Sequence, residues 1–252
     1  MKKLLLFAAA LLAVCSCDFS EIFNRYIKGN GISVDVPCTL SEFNAVSSLG
    51  SIDVFYTQTS GEQSVVLTCD ENLVEYYDIA VKNGTLNVTV KSGYLVNPET
   101  KTFVTVKTPS LKSVSLTGSG DCFVNGDIKS SDNLSFSLSG SGDLECNGII
   151  ECPNFESKTT GSGNSTIHQL VSGAAVLTTT GSGDISVNTI TAESIVLVSS
   201  GSGDGYLGCK DAGGINVRIT GSGSVTLTGN ARSLSEKVTG SGRVNSRNLN
   251  LD

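Results

Sequence analysis

The sequence has no tryptophan, one histidine and 4 prolines in 252 residues. A lone imidazole, His168, excludes metal sites and catalytic devices that need two or more histidines. Charged residues make up only 16% of the chain, too few for a disordered polyelectrolyte. Positive charge is the scarcer kind, with 17 Lys plus Arg against 24 Asp plus Glu and a net charge of −7. A nucleic-acid partner is excluded on that balance, because phosphate binding needs clustered cations. None of the 8 cysteines forms a Cys-x-x-Cys pair, so the usual zinc and thioredoxin-like spacings are missing. No metal or cofactor is expected. Glycine is the residue in excess, at 28.

The first segment reads as an address. Lys2 and Lys3 precede an unbroken apolar run from Leu4 to Val14, then Cys15, Ser16 and Cys17. A basic start, a short apolar stretch and small residues at the cut make a secretory signal over residues 1–16. The run is shorter than the roughly 20 residues a spanning helix needs. Val14-Cys15-Ser16-Cys17 resembles a bacterial lipobox, which makes Cys17 the lipidated residue. Cys15 fits less well, since bulky Val14 would stand at the cleavage position. Cleavage before Cys17 deepens the net charge to −9 and leaves residues 17–30 as anchor and tether. An outer-membrane lipoprotein is the expected product, on either the cell-surface or the periplasmic side.

A repeat governs the rest. Gly-Ser-Gly occurs seven times, beginning at Gly118, Gly140, Gly161, Gly181, Gly201, Gly221 and Gly240, in steps of 19 to 22 residues. A period near 20 marks a solenoid. With the first glycine as position 0, position −4 holds Val114, Phe136, Ser157, Leu177, Leu197, Val217 and Glu236. Position +4 holds Cys122, Leu144, Ser165, Ile185, Gly205, Val225 and Val244. Positions −6 and +6 are apolar in the same way, so the pattern has the period of two that belongs to strands. Each repeat is then one coil of a parallel β-helix, and coils stack at about 4.8 Å. The glycines share the inward parity and are expected to let the wall turn or approach the core. Glu236, Arg243 and Ser246 make the last repeat a polar cap.

Upstream, residues 31–110 contain strand-like runs such as Ile52–Tyr56 and Thr85–Val90, with a tight turn expected at Asn83-Gly84. Leu49-Gly50-Ser51-Ile52 looks like a degenerate copy of the motif. The region reads as irregular first coils, and 31–252 as one domain with its regular part at 111–252.

Leu40–Val46, Gly50–Val54, Cys69–Leu73 and Val81–Leu86, together with the Gly-Ser-Gly-Asp repeats, resemble the GIN-domain family. Its members are bacterial envelope proteins classed as auto-transporter adhesin head domains. The resemblance spans roughly residues 28–250 and implies an all-β, right-handed, single-stranded parallel β-helix. The lipobox ahead of such a domain is similar to lipoproteins of Bacteroides-type bacteria. The resemblance carries no catalytic motif.

Odd positions are expected to face solvent as a flat lateral face. On it stand Thr117, Ser119 and Asp121, then Ser139, Ser141 and Asp143, then Thr180, Ser182 and Asp184, then Ser200, Ser202 and Asp204. Hydroxyls and carboxylates at that spacing suit a glycan or protein ligand. They equally suit a wall that supports its own turns. Calcium-binding β-rolls have a similar Gly-x-Gly-x-Asp but repeat every nine residues, so calcium is not expected. His168 falls on an outward column and reads as a surface side chain. Cys122 and Cys146 fall on apolar columns and read as buried hydrophobes, while Cys38–Cys69 and Cys146–Cys152 disulfides stay open. The expected function is a non-catalytic envelope protein, an adhesin or ligand-binding β-helix. A carbohydrate-active β-helix enzyme and a periplasmic scaffold are the alternatives.

Overall fold

A computed structural model describes residues 26–252. The signal segment, Cys15 and Cys17 lie outside the described residues. The chain opens with β1 (Tyr26–Lys28), β2 (Ser33–Cys38), β3 (Ala45–Gly50), β4 (Asp53–Gln58) and β5 (Ser64–Asp70), followed by a 3-10 helix, Glu71–Tyr76. Next come β6 (Tyr77–Lys82), β7 (Thr85–Val90), β8 (Leu95–Asn97) and β9 (Phe103–Thr108). Regular winding begins with β10 (Ser113–Gly118), β11 (Cys122–Val124), β12 (Ile128–Lys129) and β13 (Leu134–Gly140). It continues through β14 (Leu144–Gly161), β15 (Ser165–Gly181), β16 (Ile185–Gly201), β17 (Gly205–Gly221), β18 (Ser224–Gly240) and β19 (Arg243–Leu251). The result is a β-solenoid of about 7 turns with coils of about 20 residues.

From β10 onward each coil pairs in parallel with the next, and the motifs stay in register: Gly118 opposite Gly140, Gly161 opposite Gly181, Gly181 opposite Gly201. The inner columns are the buried ones, as the period of two predicts. Val114, Phe136, Leu177, Leu197 and Val217 line one side of the core, and Leu144, Ile185 and Val225 the other. Lys112 departs from its apolar column: it is exposed and ion-paired to Asp132 at 3.1 Å, and neighbouring Leu111 takes the buried place.

Residues 31–110 differ from a run of coils. β3 and β4 do stack in parallel under β10 and β11, with Gly50 opposite Gly118, and β7 and β9 stack in parallel under them in turn. Beyond that the order is antiparallel: β5 pairs with β9 and β2, and β6 with β7 through the Asn83-Gly84 turn. A parallel stack must end somewhere, and hairpins reverse the chain with short connections that a further coil does not offer.

The tether expected over 17–30 also needs correction, because residues 26–28 are already strand. β1 pairs with β8, and Ile27 and Val96 pack against the core, so this ribbon helps close the end of the solenoid. Asp70 holds the arrangement. The amide of Gly31 donates to its Oδ1 at 2.6 Å, and the amides of Glu99 and Thr100 donate to Oδ2 at 3.0 Å. The Thr100 hydroxyl adds a fourth bond at 3.1 Å.

At the other end β19 covers only Ser224–Ala231 of β18. The rest of β18 has no strand above it among the described residues, and Glu236 and Lys237 stand exposed there. Charge on an open edge discourages further strand pairing.

Candidate functional site

Each Gly-Ser-Gly motif sits where one strand ends and the next begins, so the repeated hydroxyls and carboxylates line a corner of the coil. That corrects the expected flat face: Thr117, Ser119, Ser139, Ser141, Asp143, Thr180, Ser182, Asp184, Ser202 and Asp204 are exposed along a ridge, with Asp121 and Ser200 half-buried.

The corner's backbone hydrogen bonds can be followed through three consecutive amides and one from the coil before. The amides of Ser202 and Gly203 both donate to the carbonyl of Gly181 one coil earlier, at 2.8 and 3.2 Å. The amide of Asp204 donates to Oδ1 of Asp184 at 2.7 Å. The amide of Ile185 donates to the carbonyl of Asp204 at 3.0 Å. The carboxylate ladder runs from Asp53 through Asp121, Asp143, Asn164, Asp184 and Asp204 to the amide of Ser224, with donor–acceptor distances of 2.7–3.0 Å. One oxygen of each ladder residue is therefore spent on the wall.

Both glycine columns follow from the same stacking. The first glycine has φ between +112° and +134° in every motif from Gly50 to Gly240, a region that side chains strongly disfavour. A Cβ on Gly201 would also collide with the carbonyl oxygen of Gly181, and one on Gly203 with that of Gly183. The close approach is to the previous coil's backbone rather than mainly to the core. Inside the corner, buried hydroxyls two residues before the motif bridge the bend. Ser48 donates to the carbonyl of Ile52 at 3.1 Å, Thr179 to Gly183 at 2.7 Å and Ser199 to Gly203 at 3.1 Å. Only Thr159 among them has its hydroxyl unpaired. The Ser/Thr recurrence of this column, at position −2, is a signal visible in the sequence.

An aromatic ladder stands on the outside of the wall. Phe55 stacks on Phe123 at 5.0 Å and meets Phe103 edge-to-face at 5.3 Å. All three rings are half-buried, each covering part of another.

The remaining chemistry is sparse. His168 is exposed, as expected of its column. Cys38 and Cys69 are four residues out of register on paired strands, since Cys69 faces Val34 and Cys38 faces Val65. Cys146 and Cys152 lie six residues apart on one strand. All six described cysteines are thiols. Burial pushes Cys122 up to about 12 and Cys146, Cys152 and Cys209 to about 11, which makes them inert hydrophobes. A cavity of about 550 Å³ opens between Glu42, Glu62, Gln63, Gly84 and Pro109. Gln63 there is spent on the Phe43 amide and the Ser41 carbonyl. Among the described residues no group of three His, Cys, Asp or Glu side chains is placed to hold a metal ion.

Comparison with known proteins agrees with this architecture. The family described as "putative auto-transporter adhesin, head GIN domain" matches residues 42–174 and again 170–252. The crystal structure of a "putative adhesin" from Bacteroides fragilis NCTC 9343 superposes with a TM-score of 0.77 at 23% identity, covering 87% of this chain and 99% of that one. A "putative lipid binding protein" from Parabacteroides distasonis ATCC 8503 gives 0.73 at 23% identity, covering 87% and 98%. A "putative adhesin" from Parabacteroides merdae ATCC 43184 gives 0.64 at 21%, covering 88% and 98%. At these identities the likeness is one of fold. No curated protein is significantly similar in sequence.

Proposed function

The chain belongs to the auto-transporter adhesin head GIN-domain family, and on that premise we propose that it is a non-catalytic cell-envelope lipoprotein whose solenoid displays a ligand-binding ridge. Cys17 carries the lipid in an outer membrane, and the solenoid stands off as a stiff post. The ridge engages a glycan or a protein through hydroxyls and the carboxylate oxygens the ladder leaves unspent. The observation that carries this reading is the recurrence of Thr or Ser, Ser and Asp, exposed or half-buried, at one corner of four coils, with Asn164 taking the Asp place in the coil between Asp143 and Asp184. At about 4.8 Å per coil they form an evenly ruled hydrogen-bonding edge, which suits a polymeric ligand better than a small one.

Protease shaving of intact cells, beside a periplasmic marker and a lysed sample, tests the display. Cleavage on intact cells with the marker spared supports an adhesin. Cleavage only after lysis moves the role to a periplasmic scaffold. A surface-exposed protein is then screened on glycan arrays and host-protein panels. Replacing Thr180, Ser182 and Asp184 together by Ala, Ala and Asn should abolish any ridge-dependent signal. Undiminished binding by that folded variant places the ligand elsewhere.

A further inference from the structure

Large exposed apolar side chains are unevenly spread over the solenoid. Nine are exposed among the described residues, and four of them, Tyr26 (51%), Ile32 (54%), Tyr94 (42%) and Leu95 (54%), belong to the closed end. The ribbon of β1 and β8 explains why. Its inner side chains, Ile27 and Val96, are committed to the core, so alternation turns Tyr26 and Leu95 outward, opposite each other in register. Tyr94 follows the same strand's approach and packs against Tyr76 with ring centroids 4.9 Å apart. Ile32 belongs to the same end of the solenoid, its carbonyl accepting from the amide of Glu71 at the start of the 3-10 helix at 2.8 Å. Unlike the half-buried rings of the Phe55 ladder, these side chains stand exposed.

We propose that this end of the solenoid is a membrane-docking foot that rests in the interface of the bilayer holding the lipid anchor. The proposal deepens the function given above and rests on its assignment of lipid to Cys17. Eight residues lie between Cys17 and Tyr26, and the nine steps of an extended chain reach at most about 30 Å. The acylated end therefore keeps this face, and not the far end of the post, within reach of the lipid. Tyrosine suits such a boundary, because its ring sits among acyl chains while its hydroxyl stays with the headgroups. Lys28, on the outer side of the same ribbon, is neutralised by Glu99 at 2.7 Å. Glu71 and Glu75 flank the patch, and the chain without Lys2 and Lys3 has a net charge of −9. That balance selects a zwitterionic interface over an anionic one. Docking would hold the solenoid axis away from the membrane and carry the ridge outward.

The absence of tryptophan supplies the test. Tyr26→Trp and, separately, Tyr206→Trp on the outer side of β17 each create a single-tryptophan lipoprotein, and Leu95→Trp serves as a second foot reporter. The full acylated proteins are reconstituted in phosphatidylcholine vesicles with and without brominated acyl chains. The expected result is a blue shift and strong bromine quenching at positions 26 and 95, with neither at 206. Leu95→Gln in the Tyr26→Trp background should weaken the quenching while the protein stays vesicle-bound. Equal emission at all positions in an acylated, vesicle-bound protein overturns the foot and leaves the anchor standing. An intact mass without acyl chains, with loss of vesicle association, overturns the anchor and the foot together. A blue shift without quenching, in a protein that elutes as a dimer, assigns the patch to a second copy and overturns the foot.

Discussion

The hydroxyls of Ser157 and Ser165 meet 3.3 Å apart inside the core, with both residues almost fully buried. They are polar residues on otherwise apolar inner columns, and they belong to the same coil. Position −4 and position +4 face each other across the corner, so two misplaced hydroxyls satisfy one another. Ser157→Ala and Ser165→Ala should each cost about 1–3 kcal/mol, because each strands the other hydroxyl in the core. The double variant should cost less than the sum. A double-mutant cycle by urea unfolding checks this, and additive losses would mean that the pair is not coupled.

Gly201 should be close to irreplaceable. Its φ of +127° and the carbonyl of Gly181 beneath it both oppose a Cβ. Gly201→Ala should lose more than about 2 kcal/mol of stability. Gly61→Ala is the matched control, since a Cβ there meets only the Thr59 hydroxyl at 3.5 Å and the backbone does not need a positive φ. Thermal melts of the two variants should separate widely, and similar melting temperatures would argue against the stacked corner.

The repeating wall is legible in the sequence. Period and parity announce the wall, because every coil repeats the same inward choices and even the failures, Ser157 and Ser165, fall in matching columns. The ends were not legible. Asp53 is the first member of the carboxylate ladder, yet 68 residues separate it from Asp121, its neighbour in space. Antiparallel strands and a helix fill that interval, and no local pattern states that β4 will return to meet β11. The corner itself was half legible. Alternation says which side chains point outward, but it is blind to a bend that makes a ridge of a face.

Asp143 should tolerate an amide better than a methyl group. Its Oδ1 accepts from the amide and the side-chain nitrogen of Asn164, at 2.7 and 3.1 Å. Asn164 already performs the same service for Asp184 at 3.0 Å. Asp143→Asn should therefore change stability by less than about 0.5 kcal/mol, and Asp143→Ala should cost about 1 kcal/mol. Denaturant midpoints of the pair decide it. Equal losses from both would show that the charge matters more than the acceptor. Adding calcium or a chelator should leave the wild-type midpoint unchanged.

Asp70 gives the fold a dependence on acid. Burial pushes its carboxyl up, but the three amides and the Thr100 hydroxyl outweigh that and hold it below the usual carboxylate range. A depressed folded value means the unfolded chain binds the proton more readily, so the stabilisation is complete above the unfolded value of about 3.9. It is lost as pH falls through the lower folded value. Asp70→Asn keeps one acceptor but turns an NH2 toward the donor amides, which should cost about 3 kcal/mol at neutral pH. The variant should also lose part of the wild type's decline in stability below about pH 4. Urea unfolding of both proteins from pH 7 to pH 3 measures the two effects together. Parallel curves across that range would mean that Asp70 is not the group whose titration weakens the fold in acid.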